Sequence, residues 1–337
     1  MRLINRAAAF RVAILLLIST LFVAWCWKNM IRMPGKSFSG VLPDLSAGQQ
    51  ALATELKQHV QKLAGEIGER NVFQPAKYRA SADYIRETFR SMAYQVAEQA
   101  YTTSGEECLN LAAEATGKSS EIIIVGAHYD SVLGSPGAND NASGVASLLA
   151  LAWAWARHTN TQERSIRFVA FANEEPPFFQ TENMGSLVYA RRCRERQENI
   201  VAMLSLETMG FFNSSKGSQR YPFPVGLFYP SAGNFIAFVG NSRNAPLVRE
   251  CIKTFRSLAA FPSEGAALPG NLPGIEWSDH WSFGQVGYPA IMITDTAPFR
   301  YPHYHSAEDL PDKLDYDKLA RVVDGLRFVL TSLANPK

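Results

Sequence analysis

Residues 121–131 read EIIIVGAHYDS. The β-branched run at 121–127 ends directly in His128, Tyr129, Asp130 and Ser131. A short apolar run bounded by polar residues reads as a buried strand, so chemistry stands at this strand's carboxyl end. Three further segments repeat the arrangement. IRFVAFA (166–172) runs into Asn173, Glu174 and Glu175, AMLSL (202–206) into Glu207, and PAIMITDT (289–296) toward His303, Tyr304 and His305. Helical patterns at 142–157, 184–196, 245–258 and 316–333 separate or follow them. Strands alternating with helices predict an α/β fold: a central mixed, mostly parallel sheet flanked by helices. Ligands bind beyond the carboxyl ends of such strands. Four predicted strands therefore deliver His, Glu-Glu, Glu and His to one edge.

Upstream, Leu52, Leu56, Val60 and Leu63 recur at helical spacing, and a second helix near 78–92 turns Ile85 and Phe89 inward. Strands are expected near 94–101, 108–115, 225–229 and 235–239. The stretches 212–224 and 262–276 are rich in Gly, Pro and Ser and read as loops long enough to line a site. With 337 residues, 47% of them hydrophobic, the chain supports a large core. One globular domain over 49–337 is expected, after a Pro/Gly/Ser-rich linker at 33–48.

Residues 1–32 read as a membrane segment. The run 12–27, VAILLLISTLFVAWCW, carries no charge, and Trp25 and Trp27 stand where interfacial aromatics belong. A signal peptide cut after Ala24 would need a small residue where Phe22 stands. An uncleaved signal anchor with an extracytoplasmic (periplasmic or extracellular) body is therefore expected, secretion after cleavage being the alternative. Residues 1–40 hold six basic residues and no acid; without them, 27 basic residues face 31 acidic ones. That mildly acidic body argues against nucleic acid as a partner. Four cysteines exclude a disulfide-built scaffold, though Cys193 and Cys251 could pair in an exported protein. Trp153 and Trp155 read as core or core-edge residues.

Crowded carboxylates repel one another unless cations neutralise them, and mixed His and carboxylate donors suit zinc. Two neighbouring metals need one bridging carboxylate. Asp140, in GANDNASG (137–144), supplies it; the competing reading is a cap on the helix that follows.

GAHYDS (126–131), PGANDNASG (136–144), NEE (173–175), LETMG (206–210), SDH (278–280) and YHSAEDLPDKLDY (304–316), in this order, resemble the co-catalytic zinc aminopeptidases of metallopeptidase family 28. Relatives of that family include glutaminyl cyclases and the ectodomains of glutamate carboxypeptidase and transferrin receptor. The resemblance covers roughly residues 50–335. It implies two Zn2+ ions, one held by His128, Glu207 and Asp140, the other by Glu175, His305 and Asp140. It implies an exopeptidase that removes N-terminal residues from unblocked peptides through a metal-bridging hydroxide, with Glu174 as general base. Tyr304 matches a tyrosine that hydrogen-bonds the developing oxyanion in some relatives. A non-proline cis peptide at Asp140–Asn141 is also implied. Asp130 is expected to orient His128 through its other ring nitrogen. Asp279 and His280 are expected to orient groups near the site, and His303 to stand behind the ligands or at the site's mouth. The rival functions are a single-zinc glutaminyl cyclase using Asp140, Glu175 and His305, and a catalytically inactive receptor-like ectodomain.

Overall fold

The computed structural model describes residues 6–156 and 161–336. Among them, eight strands form one sheet in the order β1-β2-β4-β3-β5-β8-β6-β7. These are β1 (Val96–Thr103), β2 (Glu106–Ala115), β3 (Glu121–His128), β4 (Ser165–Phe171), β5 (Asn199–Glu207), β6 (Ile236–Asn241), β7 (Ser263–Leu268) and β8 (Ala290–Thr294). The central β4-β3-β5-β8 run is parallel, with Val125 opposite Phe168 on one side and Leu204 on the other. β1, β2 and β6 introduce the antiparallel pairings. The fold is the mixed, mostly parallel α/β sheet that the pattern predicts.

Helices cover both faces. α2 (Ala47–Val60) starts with a capping box in which the Ser46 side chain and Gln49 bond each other's backbone. It buries Leu56 and Val60. α3 (Pro75–Ser91) buries Ile85 and Phe89. α4 (Gly144–Trp155), rich in Ala and Leu, is buried almost all round, as a helix between sheet and outer helices must be. α5 (Gly185–Glu195), α6 (Ala245–Leu258), the short α7 (His280–Gln285) and α8 (Tyr316–Ala334) complete the layers. Trp155 is buried and Trp153 exposed. Cys193 and Cys251 are buried free thiols, not a disulfide.

Two local expectations are corrected. Residues 225–229 are not a strand: Val225–Leu227 is a 3-10 turn, since prolines at 222, 224 and 230 remove the amide donors a ladder needs. Conversely, SEGAAL, inside the stretch read as a loop, is the parallel edge strand β7, imposed by pairing with β6 rather than by local propensity.

α1 (Arg6–Cys26) continues through a wider turn, Trp27–Ile31. The helix Ala7–Ile31 is long and apolar enough to cross a membrane, and its apolar window is not buried against the body. The following segment, expected as a linker, lies along the body. Met33 is buried, Arg256 donates to the carbonyls of Pro34 and Gly35, and Ser263 N–H donates to Ser37 Oγ at 2.9 Å. Arg321 donates to Pro43 O at 2.5 Å. This strap covers the open edge at β7, as exposed edges require.

Candidate active site

Each strand end places one part of the site. His128 is the last residue of β3 and Glu207 the last of β5. Glu174 and Glu175 follow β4, and their N–H groups each donate to an Asp130 oxygen at 3.1 Å. Asp130 Oδ1 also lies 3.3 Å from His128 Nδ1. Ser278 donates to Glu207 Oε2 at 2.7 Å.

Asp140 sits in the loop that leads into α4, and the Asp140–Asn141 peptide is cis. Gly137 stands at φ +62°, and a Cβ there would meet the Asp140 carbonyl at 2.3 Å, so only glycine fits this turn. Two groups that sequence reasoning missed hold the loop. Asp309 accepts from Asn139 N at 2.8 Å and Asp140 N at 3.1 Å. The fully buried Arg70 donates to Tyr129 O at 2.7 Å and Gly137 O at 2.8 Å, tying the His128 loop to the Asp140 loop. Burial lowers its guanidinium to about 10, against the pull of Asp130 and Asp309. Asp309 lies within the quoted 304–316 motif, which was its only signal; Arg70 had none.

Two donor groups result. His128 Nε2 lies 3.4 Å from Asp140 Oδ1 and 3.2 Å from Glu207 Oε2. His305 Nε2 lies 3.1 Å from Asp140 Oδ2 and 3.3 Å from Glu175 Oε2. Each group's ligand atoms lie within 4.8 Å of one another, and Asp140 belongs to both. Zinc bonds of about 2.0–2.1 Å in a tetrahedron put neighbouring ligand atoms about 3.3 Å apart, close to what these contacts show. Both His128 ring nitrogens and Glu175 Oε1 are buried without a hydrogen-bond partner. Such atoms are costly unless something binds them.

The electrostatics agree. Burial, reinforced by Glu207 and Glu175 against the pull of His128, pushes Glu174 well above the usual carboxylate range. Burial and Asp140 raise Glu175 to about 8, and burial also raises Glu207. Although burial opposes its charge, His128 is held well above the ordinary imidazole value by Glu207 and Glu174. Burial opposes His305 too, yet Asp140 and Glu175 raise it to about 10. Asp140 is pushed up by burial but pulled below the usual range by the two histidines. Shared protons thus stand where cations fit, and the donor set suits zinc.

Around this centre, Asp279 is buried with both oxygens unpartnered, and burial raises it to about 7. His280 lies outside both donor groups; its Nε2 is 2.7 Å from Ile275 O, and burial lowers it to about 4, so it is neutral. His303 also lies outside them, edge-on to Tyr301 at 5.4 Å. The Tyr304 ring stacks on His305 at 3.9 Å. Burial and the surrounding carboxylates raise its phenol, which stays protonated. Glu207 and Tyr304 open onto a cleft walled by Phe235, Val239, Leu268 and Met292.

The profile described as Peptidase family M28 matches residues 110–330. The chain belongs to peptidase family M28. It is 38% identical over 301 residues to YfbL of Escherichia coli strain K12, covering 87% of this chain and 91% of that one. It is 31% identical over 237 residues to a "Probable leucine aminopeptidase" of Arthroderma otae, covering 64% of this chain and 55% of that protein. Among solved structures, BSAP, a zinc aminopeptidase from Bacillus subtilis, superposes with a TM-score of 0.66 at 15% identity, over 85% of this chain and 95% of that one. Fimbriiglobus ruber glutaminyl cyclase does so at 0.63 and 19%, over 87% and 97%. At those identities both superpositions establish the fold alone.

Proposed function

We propose that the chain is a zinc aminopeptidase that removes N-terminal residues from unblocked peptides. In this reading α1 holds it to a membrane with the body extracytoplasmic. The observation that carries the catalytic reading is the pair of donor groups meeting at Asp140. His128, Glu207 and Asp140 would hold one zinc; Glu175, His305 and Asp140 the other. Zinc there lowers the pKa of water and polarises a carbonyl. Glu174 belongs to neither group, and its carboxyl lies 3.9 Å from His128 Nε2. Its raised pKa suits a base that takes the proton of the attacking water and returns it to the leaving amine. Tyr304, kept protonated, is the donor for the oxygen that becomes negative. The carboxylate cluster pairs the free α-ammonium, and the cleft takes an apolar first side chain.

The second group is what favours this reading over a cyclase. With one metal on Asp140, Glu175 and His305, the His128 and Glu207 donors would face each other without a purpose. The test is metal content together with substrate choice. Two zinc ions per chain, amino acids released from unblocked apolar peptides, intact N-acetylated peptides and no pyroglutamate from N-terminal glutamine are expected. One metal with efficient cyclisation and no amino-acid release overturns the reading.

A further inference from the structure

The outer wall of the cleft continues into the membrane-crossing helix. Its roof is residues 221–230, YPFPVGLFYP, a stretch without a charge. Tyr221, Val225 and Tyr229 line the cleft. Tyr221 is fixed by a 2.7 Å bond to Pro230 O, and Tyr229 by a 2.8 Å bond to Gly265 O. Phe223, Leu227 and Phe228 do not line it: they are 89%, 74% and 41% exposed. Exposed large apolar side chains gathered on one uncharged turn mark a contact surface.

The juxtamembrane segment identifies the contact. The Trp27 ring lies 5.5 Å from the Phe228 ring. Met30 and Ile31 pack against the Phe235, Val239 and Leu268 cluster that walls the cleft. Arg249 donates to the carbonyls of Arg32 at 2.7 Å and Lys28 at 3.3 Å. The helix exit is therefore clamped to the same wall as the roof, not tethered at a distance from it. Trp27 is the aromatic that closes the apolar run, and exposed Lys28 and Arg32 follow it as headgroup-facing cations. Phe228 against Trp27 sets the roof at that same depth. Aromatic and aliphatic side chains without charge suit the interfacial layer.

We propose that residues 221–229 form a second membrane contact, with Phe223, Leu227 and Phe228 in the lipid interface beside α1. The cleft then opens at the lipid surface and draws in peptides adsorbed there through apolar N-terminal residues. This rests on the aminopeptidase and anchor readings above.

The test uses the full chain in phosphatidylcholine liposomes. On a Cys26→Ser background, a polarity-sensitive fluorophore is placed at Leu227→Cys and, as control, at exposed Trp153→Cys; the remaining cysteines are buried. The fluorophore at 227 should emit blue-shifted and be quenched by lipids spin-labelled near the headgroup, while that at 153 does neither. Phe223→Asp combined with Leu227→Asp should slow cleavage of a peptide tethered to the bilayer by a C-terminal lipid about tenfold or more, and leave soluble leucine amide within about twofold. An anchored chain whose 227 fluorophore stays water-like overturns the proposal alone. A blue shift without lipid quenching means a protein contact and overturns it too. A chain absent from the membrane fraction overturns the anchor reading with it. A chain that cleaves neither substrate overturns the aminopeptidase reading, and the fluorophore still decides the lipid contact.

Discussion

Asp309→Asn tests whether the two donor groups are one unit. The Asp309 carboxylate is buried and accepts from Asn139 N–H and the Tyr301 hydroxyl on Oδ1, and from Asp140 N–H on Oδ2. An amide must present NH₂ at one of these positions. Keeping its oxygen toward Asn139 and Tyr301 sets a donor against the Asp140 N–H. One charge-assisted bond is lost and a buried donor is left unpaired, a cost of about 1.5–3 kcal/mol. The loss falls on the backbone of the one residue common to both groups. Both metals should therefore weaken together, each by about 10–100-fold, as outer partners of ligands usually do. Equilibrium dialysis against graded chelator, with metal counted by mass spectrometry, measures this; a melting curve records the stability change. His128→Ala is the contrast: it touches one group and should remove one metal only. A folded Asp309→Asn protein that loses a single metal, or neither, refutes the reasoning.

Glu174→Gln should retain both metals and lose about 10²–10⁴ in kcat, and loss of metal would exchange its role with that of Glu175. The chelated protein should lose stability as pH rises from about 4.5 to about 8. Glu175 moves from an ordinary 4.5 to about 8 on folding, so the folded state binds its proton more tightly and that advantage vanishes as the pH passes the folded value. Melting temperatures across that range should fall for the chelated protein and hold for the zinc-loaded one; parallel curves would refute the assignment.

Legibility in the sequence followed local chemistry. Ile122–Val125 and the apolar face of α6 announce their elements because β-branched runs and 3.6-residue periodicity are local signals. His128, Glu174, Glu175 and Glu207 were legible because each ends or follows a readable strand. β7 was hidden because Glu264, Gly265, Ala266 and Ala267 have low strand propensity, and only the β6 ladder makes them extended. Residues 225–229 misled because their apolar content outweighed the flanking prolines in the reading. Arg70 and Asp309 work on backbone atoms 67 and 169 residues away, Gly137 O and Asp140 N. No spacing rule reaches that far. Part of the cleft lining was legible, since Tyr221, Pro222, Leu272 and Ile275 fall in the stretches read as site-lining loops; the contact of Phe228 with Trp27 was not, because Trp27 lies in a segment read as separate.

The strap between α1 and α2 imposes an order on synthesis. Ser37 leaves the ribosome early, yet its partner at the sheet edge, Ser263, is made 226 residues later. At about 5–20 residues per second, that interval is roughly 11–45 s. Throughout it, Met33 and the chain that will cover β7 have nothing to dock on, while the apolar helix just upstream has already been made. The sheet can close its last edge only after β6, α6, β7 and β8 have assembled, because β8 joins β6 to the rest of the sheet. Nascent chains stalled before residue 263 should therefore keep the 33–45 segment open to protease, and chains released after β8 (Ala290–Thr294) is complete should protect that segment.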